Sequence, residues 1–142
     1  SRARSAEDLL NDLHLALCRI EETGLDKLET SLLVVPDMLQ DFYDYNDFLD
    51  IADAVLQEGG WEGDIQIASF HPDYQFAGTE KSDHENFSNR APYPIFHLLR
   101  EDSLEQAINS HPDPEAIPER NIALLQDMDG AAIRAIFPYC FK

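Results

Sequence analysis

Basic side chains are scarce in this sequence. Its 142 residues include 10 Lys and Arg against 28 Asp and Glu, which gives a formal net charge of −18. A protein that neutralises phosphate groups needs clustered Lys and Arg, whereas here the basic residues are scattered. The charge therefore argues against nucleic acids and anionic membranes as partners. At 44% hydrophobic and 10% aromatic, the chain is nevertheless too apolar for a solvated acidic tail, and a packed core is expected.

Cysteine is also rare, and the two that occur, Cys18 and Cys140, match no metal-binding or redox spacing. Such a count is typical of a reducing compartment rather than of a disulfide framework. No apolar run approaches the roughly 18 residues that a membrane-spanning helix needs. No secretory signal follows the opening residues 1–4. We therefore expect a cytoplasmic protein, and the missing initiator Met predicts a processed or trimmed chain.

Several familiar catalytic and binding motifs are missing. There is no phosphate-binding Gly loop, no Cys pair for zinc, no His-Glu-x-x-His and no Gly-x-Ser-x-Gly. The aspartates between Asp37 and Asp53 do not form a Ca²⁺ loop, since a loop starting at Asp44 has Leu49 where a Gly is required. We interpret this run as a solvated acidic face.

What the chain does contain is a succession of helical and strand patterns. Apolar residues at helical spacing after a capping-type Ser5 predict a first helix that stops at Gly24. The further elements are predicted in this order: a strand at 31–35 covered on both faces, a helix ending at Gly59-Gly60, strands at 65–70 and 95–99, a helix capped by Asp102 or Ser103, a helix with Pro118 in its first turn, and a short apolar segment at 131–137.

These patterns predict a fold class. Strand, helix and strand between Ser31 and Phe70 form a βαβ unit, whose two strands are expected to run parallel. We predict an α/β or α+β fold with a small mixed sheet of three to four strands, flanked by helices. A ferredoxin-like arrangement is the alternative if the third strand runs antiparallel. No domain boundary is visible, so residues 1–142 are predicted to form one globular domain.

Polar side chains follow the first two predicted strands. In open α/β sheets, ligands bind outside the carboxyl ends of parallel strands, which here carry Asp37 and His71-Pro72-Asp73. A His that is oriented by Asp73 and faces Asp37 suits general-base catalysis or a divalent metal. The alternative is a structural turn, in which Asp73 caps backbone donors and a carbonyl satisfies His71.

Two further candidates lie beyond this turn. Asn89-Arg90 belongs to an unusually long segment without periodicity, residues 71–94, and the forked Arg90 suits a carboxylate or phosphate ligand. Alternatively, Arg90 bonds loop carbonyls and holds the loop in shape. His97 shares a strand face with Ile95 and Leu99, and is either a satisfied core histidine or a group that points into a pocket.

The chain also resembles a known bacterial family. The segments that carry the likeness are LVVP at 33–36, DF at 41–42, NDFL at 46–49, ASFHPDYQFAG at 68–78, NRAPYP at 89–94, HLLRE at 97–101 and IPERNI at 117–122. Together they resemble the domain of unknown function 1415 from about Leu9 onward. The family has no assigned activity, so the resemblance implies a fold grouping and a cytoplasmic setting.

The resemblance also implies which polar residues matter. The family motif carries over His71, Asp73, Tyr74, Gln75, Asn89, Arg90, His97, Glu119, Arg120 and Asn121. Family members usually begin with a Cys-bearing segment, Gly-Leu-Asn-Leu-Cys-Pro-Phe, which is absent here. The resemblance thus implies an N-terminally truncated or processed chain that lacks one strand.

Two functional hypotheses follow. In the first, a small enzyme or binding protein acts on an anionic metabolite, with His71, Asp73 and His97 as catalytic or metal-ligating groups. Asp37, Asn89, Arg90 and Arg120 would bind the ligand; a divalent metal is an open option, and enzymatic activity is uncertain. In the second, the chain is an acidic interaction module or homodimer with an apolar patch near Tyr43 and Tyr45.

Overall fold

The computed structural model describes residues 1–141, which form five α-helices and three strands. The elements run in the order α1 (Ala6–Glu22), β1 (Thr30–Val34), α2 (Phe42–Glu58), β2 (Ile65–Phe70), β3 (Ile95–Arg100), α3 (Glu101–Ser110), α4 (Ile117–Asp127) and α5 (Gly130–Ile136). Short 3₁₀ helices occupy His84–Asn89, Pro114–Ala116 and Pro138–Phe141. The predicted α/β class with a sheet of three strands is confirmed, but the sheet is antiparallel throughout and not mixed.

The sheet has the strand order β1-β3-β2, and β3 pairs antiparallel with both neighbours. Strands β1 and β2 therefore run parallel to each other, as predicted for the βαβ unit, but β3 lies between them. Val34 and Phe70 both pair with Ile95, so β1 and β2 end at the same edge of the sheet. This split βαβ arrangement is the motif of ferredoxin-like folds, and it agrees with the antiparallel alternative.

One face of the sheet packs against α1 and α2. The core contains Leu33, Phe96 and Leu98 from the sheet, with Leu9, Leu13, Leu17 and Ile20 from α1 and Tyr45, Phe48, Ala52 and Leu56 from α2. Each fully buried side chain of this size contributes about 1.5–3 kcal/mol relative to an exposed one. The opposite face is more open, since Leu32 is 57% exposed. The prediction that the first strand is covered on both faces is therefore wrong.

Local capping explains where two helices begin. The Ser5 hydroxyl accepts a hydrogen bond from the Asp8 N–H, as the capping pattern predicts. The Asp41 carboxylate caps α2 in the same way, through the N–H groups of Tyr43 and Asp44. Helix α3 differs, because it starts at Glu101 directly after β3 and has no side-chain cap. The predicted cap at Asp102 or Ser103 is wrong.

A second, smaller core lies beside the long loop. It consists of Phe87 from the loop's 3₁₀ helix, Leu125 from α4 and Ile133 from α5, with Met128, Phe137 and Cys140 packed around them. Helices α4 and α5 thus pack on the loop rather than on the sheet core. Among residues 1–141, no helix is long and apolar enough to cross a membrane.

Candidate functional site

His71 lies at the end of β2 with no solvent-exposed surface. Its Nε2 donates a hydrogen bond to the Leu39 carbonyl oxygen at 2.9 Å, and its Nδ1 accepts one from the Asp73 N–H at 2.9 Å. Since a carbonyl can only accept and an N–H can only donate, these partners select the neutral Nε2–H tautomer. Burial lowers the pKa of His71 despite the opposing bond to Leu39. Neither ring nitrogen is open to a substrate in this structure.

The turn around His71 has a second copy in the chain. His111 Nδ1 accepts a hydrogen bond from the Asp113 N–H at 3.1 Å, in the same manner as His71 and Asp73. The geometry therefore follows from the tripeptide His-Pro-Asp, in which Pro restricts the backbone between the two partners. Only His71 adds a bond to a distant carbonyl, that of Leu39, so its position depends on the tertiary fold.

The carboxylates predicted to flank His71 point elsewhere. Asp73 forms an ion pair with Lys81 at 3.3 Å, and Asp37 forms one with Arg2 at 3.5 Å. The Asp73–Lys81 pair has both side chains at least half exposed, so it contributes little stability. In the structural-turn alternative, a carbonyl satisfies His71, as that of Leu39 does, and Asp73 caps backbone donors, which its carboxylate does not do within residues 1–141. Instead its own N–H is the group that binds His71.

His97 lies on the open face of the sheet, in the central strand β3. The predicted alternation is confirmed, because Phe96 and Leu98 are fully buried in the core while His97 is partly exposed. His97 Nε2 lies 2.5 Å from the Thr30 hydroxyl oxygen, which in turn donates to the Leu98 carbonyl. Burial lowers the pKa of His97. Its nearest aromatic contact in this structure is Phe70, with 6.2 Å between ring centroids.

Arg90 is buried and anchors the long loop. Its Nε donates to the Tyr74 carbonyl at 3.2 Å, and one terminal nitrogen donates to the Lys81 carbonyl at 2.6 Å. The guanidinium lies over the Phe87 ring, 4.3 Å from its centroid. Burial lowers the pKa of Arg90, although Cys140 and Asp73 act in the opposite direction. The other terminal nitrogen has no hydrogen-bond partner among residues 1–141.

Asn89 and Arg120 are placed very differently. The Asn89 amide donates to the Ser69 carbonyl at 3.0 Å, and its own backbone carbonyl accepts from the His71 N–H at 3.1 Å, so it ties the loop to β2. Arg120 is exposed on α4 and reaches only the Asp113 carbonyl, at 3.4 Å. The structure therefore does not bring Arg120 to Arg90 or His71 through any contact.

A cavity of about 530 Å³ opens between the long loop and the C-terminal elements. We call it the basic cavity, because among residues 1–141 its lining contains Lys81, Arg90 and Arg134 and one acidic residue, Glu80. His84 and Cys140 also face it. Of the residues predicted to form a site, Arg90 lines this cavity, whereas His71 and His97 do not.

Two aromatic rings hold the arginines of the basic cavity. Arg134 lies over the Phe141 ring at 4.4 Å, just as Arg90 lies over Phe87, and the two rings are stacked with 5.7 Å between centroids. Such cation–π contacts orient a guanidinium without using its N–H donors. Arg134 has no hydrogen bond or ion pair within residues 1–141. Within that range, all its N–H donors therefore remain open to a ligand.

The remaining polar groups of the basic cavity are a histidine and a thiol. His84 Nδ1 donates to the Leu125 carbonyl at 3.2 Å, which leaves Nε2 without a partner in the described part of the chain. Burial raises the pKa of the Cys140 thiol, and the Arg90 guanidinium partly opposes this. Sequence reasoning did not place Arg134 or His84 in a site. No local signal identifies either one, because α5 reaches the loop only in the folded protein.

The structure also bears on metal binding. Within residues 1–141, no group of three or more His, Cys, Asp or Glu side chains is arranged to hold a metal ion. His71 and His97, the two histidines considered as ligands, each use Nε2 in a hydrogen bond within the protein.

Comparisons with known proteins complete this description. None of the curated proteins matches the chain, and none of the solved structures does. The model of one family, described as a protein of unknown function (DUF1415), matches residues 1–135. Since this match covers nearly the whole chain, the protein belongs to the DUF1415 family.

Proposed function

We propose that this protein binds a small anionic molecule in the basic cavity, with Arg134 and Arg90 as its anchors. One observation carries the proposal. Among the described residues, Lys81, Arg90 and Arg134 line this cavity and Glu80 is the one acidic residue in the lining. Lys81 is paired with Asp73, so the local balance is three positive against two negative side chains. In a chain with a net charge of −18, such a local reversal of sign favours an anion at this place.

The state of the two guanidiniums supports anion binding. Among residues 1–141, no group accepts a hydrogen bond from Arg134, and one terminal nitrogen of Arg90 has no partner. The Phe87 and Phe141 rings each stack on one of the two guanidinium groups, which lowers the side-chain entropy that a bound ligand removes. Guanidinium groups in a partly desolvated cavity bind carboxylates and phosphates through charge-assisted hydrogen bonds.

The size and the other lining groups narrow the ligand class. A cavity of about 530 Å³ is within the range that small-molecule sites occupy. His84 Nε2 adds an acceptor when neutral and a donor when protonated. We therefore infer a metabolite-sized carboxylate or phosphate compound rather than an anionic polymer.

The proposal concerns binding and assigns no reaction. His71 would have to give up its bond to Leu39 before it could accept a proton from a ligand. A catalytic role for His71, Asp73 and His97 therefore stays a prediction that needs a rearrangement of the turn. The homodimer hypothesis gains no specific support here, because Tyr45 is fully buried and only Tyr43 is exposed.

Calorimetric titration of the chain with inorganic pyrophosphate and with citrate tests the proposal. We expect saturable binding of at least one probe, and a roughly tenfold weaker affinity in Arg134→Gln, since a lost charge-assisted hydrogen bond costs about 1.5–3 kcal/mol. Arg134 is exposed, so this substitution should leave the fold intact.

Arg120→Gln is the matched control, because it removes an equal charge from an exposed helix site outside the cavity. Its affinity for both probes should equal that of the unaltered protein. Equal weakening by Arg134→Gln and Arg120→Gln would point to non-specific attraction and contradict the proposal. A failure of both probes to bind would contradict it as well.

A further inference from the structure

A second cavity, of about 480 Å³, lies between the long loop and α4. We call it the apolar cavity, because Phe70, Phe76 and Ile122 line it together with Ile117 and Pro118 from the start of α4. Phe70 closes it on the side of the sheet, since this residue ends β2. Concave, mostly apolar sites with a few polar groups are the usual form of small-molecule pockets.

The two cavities lie on different sides of one loop segment. In the 3₁₀ helix His84–Asn89, His84 and Phe87 face the basic cavity, whereas Glu85 and Ser88 face the apolar cavity. This alternation follows from the threefold period of a 3₁₀ helix, which places residues three apart on the same side. Each cavity thus has its own lining, and the two differ in charge.

Most polar groups of the apolar cavity are already bonded. The Thr79 hydroxyl donates to the Phe76 carbonyl at 2.7 Å, and the Ser88 hydroxyl donates to the Asn89 side-chain oxygen at 2.9 Å. The Asn89 amide donates to the Ser69 carbonyl. These groups brace the loop and offer little to a ligand.

Two polar side chains of this lining have no such bond. Within residues 1–141, neither the Glu85 carboxylate nor the Asn121 amide has a side-chain hydrogen-bond partner, and Glu85 has no ion pair. Glu85 is the one ionisable side chain that lines the apolar cavity, and it is half-buried. As the one charge that residues 1–141 bring to this lining, Glu85 favours a ligand that carries a single cationic group beside its apolar part.

We propose that the apolar cavity binds a small apolar molecule that carries a protonated amine. Its hydrocarbon or aromatic part packs against Phe70, Phe76 and Ile122, and its ammonium group donates to Glu85. The amide of Asn121 provides a further acceptor at the rim. This inference does not rest on the proposed anion site, since the two cavities share no lining residue.

Ligand-observed NMR and calorimetry with phenethylamine as the probe test this proposal. The uncharged phenethyl alcohol and the anionic 3-phenylpropionate serve as comparison compounds of similar shape. We expect phenethylamine to bind at least about tenfold more tightly than either one, because only the amine compensates Glu85. Similar affinities for all three compounds, or none for phenethylamine, would overturn the proposal.

Substitutions distinguish the contribution of the Glu85 charge to ligand affinity from that of the apolar lining. Glu85→Gln should weaken phenethylamine about tenfold and leave phenethyl alcohol unchanged, since the glutamine keeps the shape and removes the charge. Glu105→Gln on the exposed face of α3 is the matched control and should alter neither affinity. An unchanged amine affinity in Glu85→Gln would contradict the assigned role of this carboxylate.

A third variant tests whether the probe binds in the apolar cavity or elsewhere on the protein. Ile117→Asp places a charge at the mouth of the apolar cavity, and Ile117 is 38% exposed, so its replacement should be tolerated by the fold. We expect phenethyl alcohol to lose its residual binding in this variant. Retention of alcohol binding would show that the probe lies outside the apolar cavity and would overturn the proposal.

Discussion

His71 Nε2 and the Leu39 carbonyl oxygen are joined by a hydrogen bond of 2.9 Å inside the protein. The bond links the end of β2 to the segment that leads from β1 into α2. Leu39 itself has a φ of 60°, a left-handed conformation that is unfavourable for a non-glycine residue. The rings of Phe42 and Tyr45 lie 5.3 and 5.2 Å from the His71 ring. His71 therefore stabilises a strained connection at the carboxyl edge of the sheet.

Replacement of His71 should destabilise the protein. His71→Phe fills much of the space but removes the bonds to the Leu39 carbonyl and the Asp73 N–H, which are both partly buried. Each such bond contributes about 0.5–1.5 kcal/mol, so we expect about 1–3 kcal/mol less free energy of unfolding in urea titrations. His111→Phe is the control, because the same turn lies near the surface there, and it should cost less than about 1 kcal/mol. Equal losses in both variants would contradict this role.

The stability that His71 provides should depend on pH. Burial lowers its pKa below the ordinary 6.5, so the unfolded chain takes up a proton that the folded protein resists. The contribution is therefore fully present above pH 6.5 and decreases as the pH falls below 6.5 toward the lowered pKa of the folded state. We expect the advantage of the unaltered protein over His71→Phe to be smaller at about pH 5.5 than at about pH 7.5.

The measurement compares free energies of unfolding of the two proteins at both pH values. His97, whose pKa burial also lowers, is present in both and cancels in the difference. A difference that stays constant, or that grows as the pH falls, would contradict the neutral state assigned to His71.

The Tyr45 hydroxyl should contribute more to the free energy of unfolding than the hydroxyl of the exposed Tyr43. It donates to the Ile95 carbonyl at 2.6 Å and accepts from the Phe70 N–H at 3.2 Å. It therefore bridges the last residue of β2 and the first residue of β3. Tyr45→Phe leaves both backbone groups unsatisfied and should cost about 1–3 kcal/mol of unfolding free energy. Tyr43, on the same helix, is 78% exposed, and Tyr43→Phe should change stability by less than about 0.5 kcal/mol.

Asn86 should be essential for the shape of the long loop. Its side-chain oxygen accepts from the Phe76 N–H at 2.8 Å and lies 3.0 Å from the Thr79 hydroxyl, and its amide donates to the Glu80 carbonyl at 2.8 Å. Asn86→Asp keeps the acceptors, loses the donor and introduces a charge at a fully buried position. We expect a loss of more than about 2 kcal/mol, measured by chemical unfolding.

Limited proteolysis would show where this loss occurs. In Asn86→Asp, cleavage should increase between residues 71 and 94, and binding to both cavities should weaken, because the loop lines each of them. Asn109→Asp on the exposed surface of α3 is the control and should leave cleavage unchanged. Unaltered proteolysis in Asn86→Asp would show that other contacts suffice to hold the loop.

Local sequence patterns predicted the helices and strands well where interactions between residues close in sequence determine the structure. The cap at Ser5, the strand Ile65–Phe70 and the alternation around His97 all agree with the structure. The cap of α3 was misplaced because β3 continues directly into the helix, and backbone geometry rather than a side chain sets its start. Chain order could not show that β3 lies between β1 and β2, since this depends on pairings over long separations.

The candidate site was harder to predict than the fold. The sequence pointed to Arg90, but the loop-bracing alternative describes its two carbonyl bonds equally well. His71 was expected in an open site, yet its ring is completely covered. Which way a strand-end side chain points depends on what packs over it, and here Leu39, Phe42 and Tyr45 cover His71.

The amino-acid sequence by itself determined the helices and strands, the acidic surface and the repeated His-Pro-Asp turn. These features depend on hydrophobic period, on capping and on backbone restrictions within a few residues. The tertiary structure alone decided that His71 is fully buried, that Arg134 and Arg90 line the basic cavity and that Glu85 lines the apolar cavity. These relations arise because α4 and α5 fold back onto the long loop, and that packing depends on contacts between segments far apart in the chain.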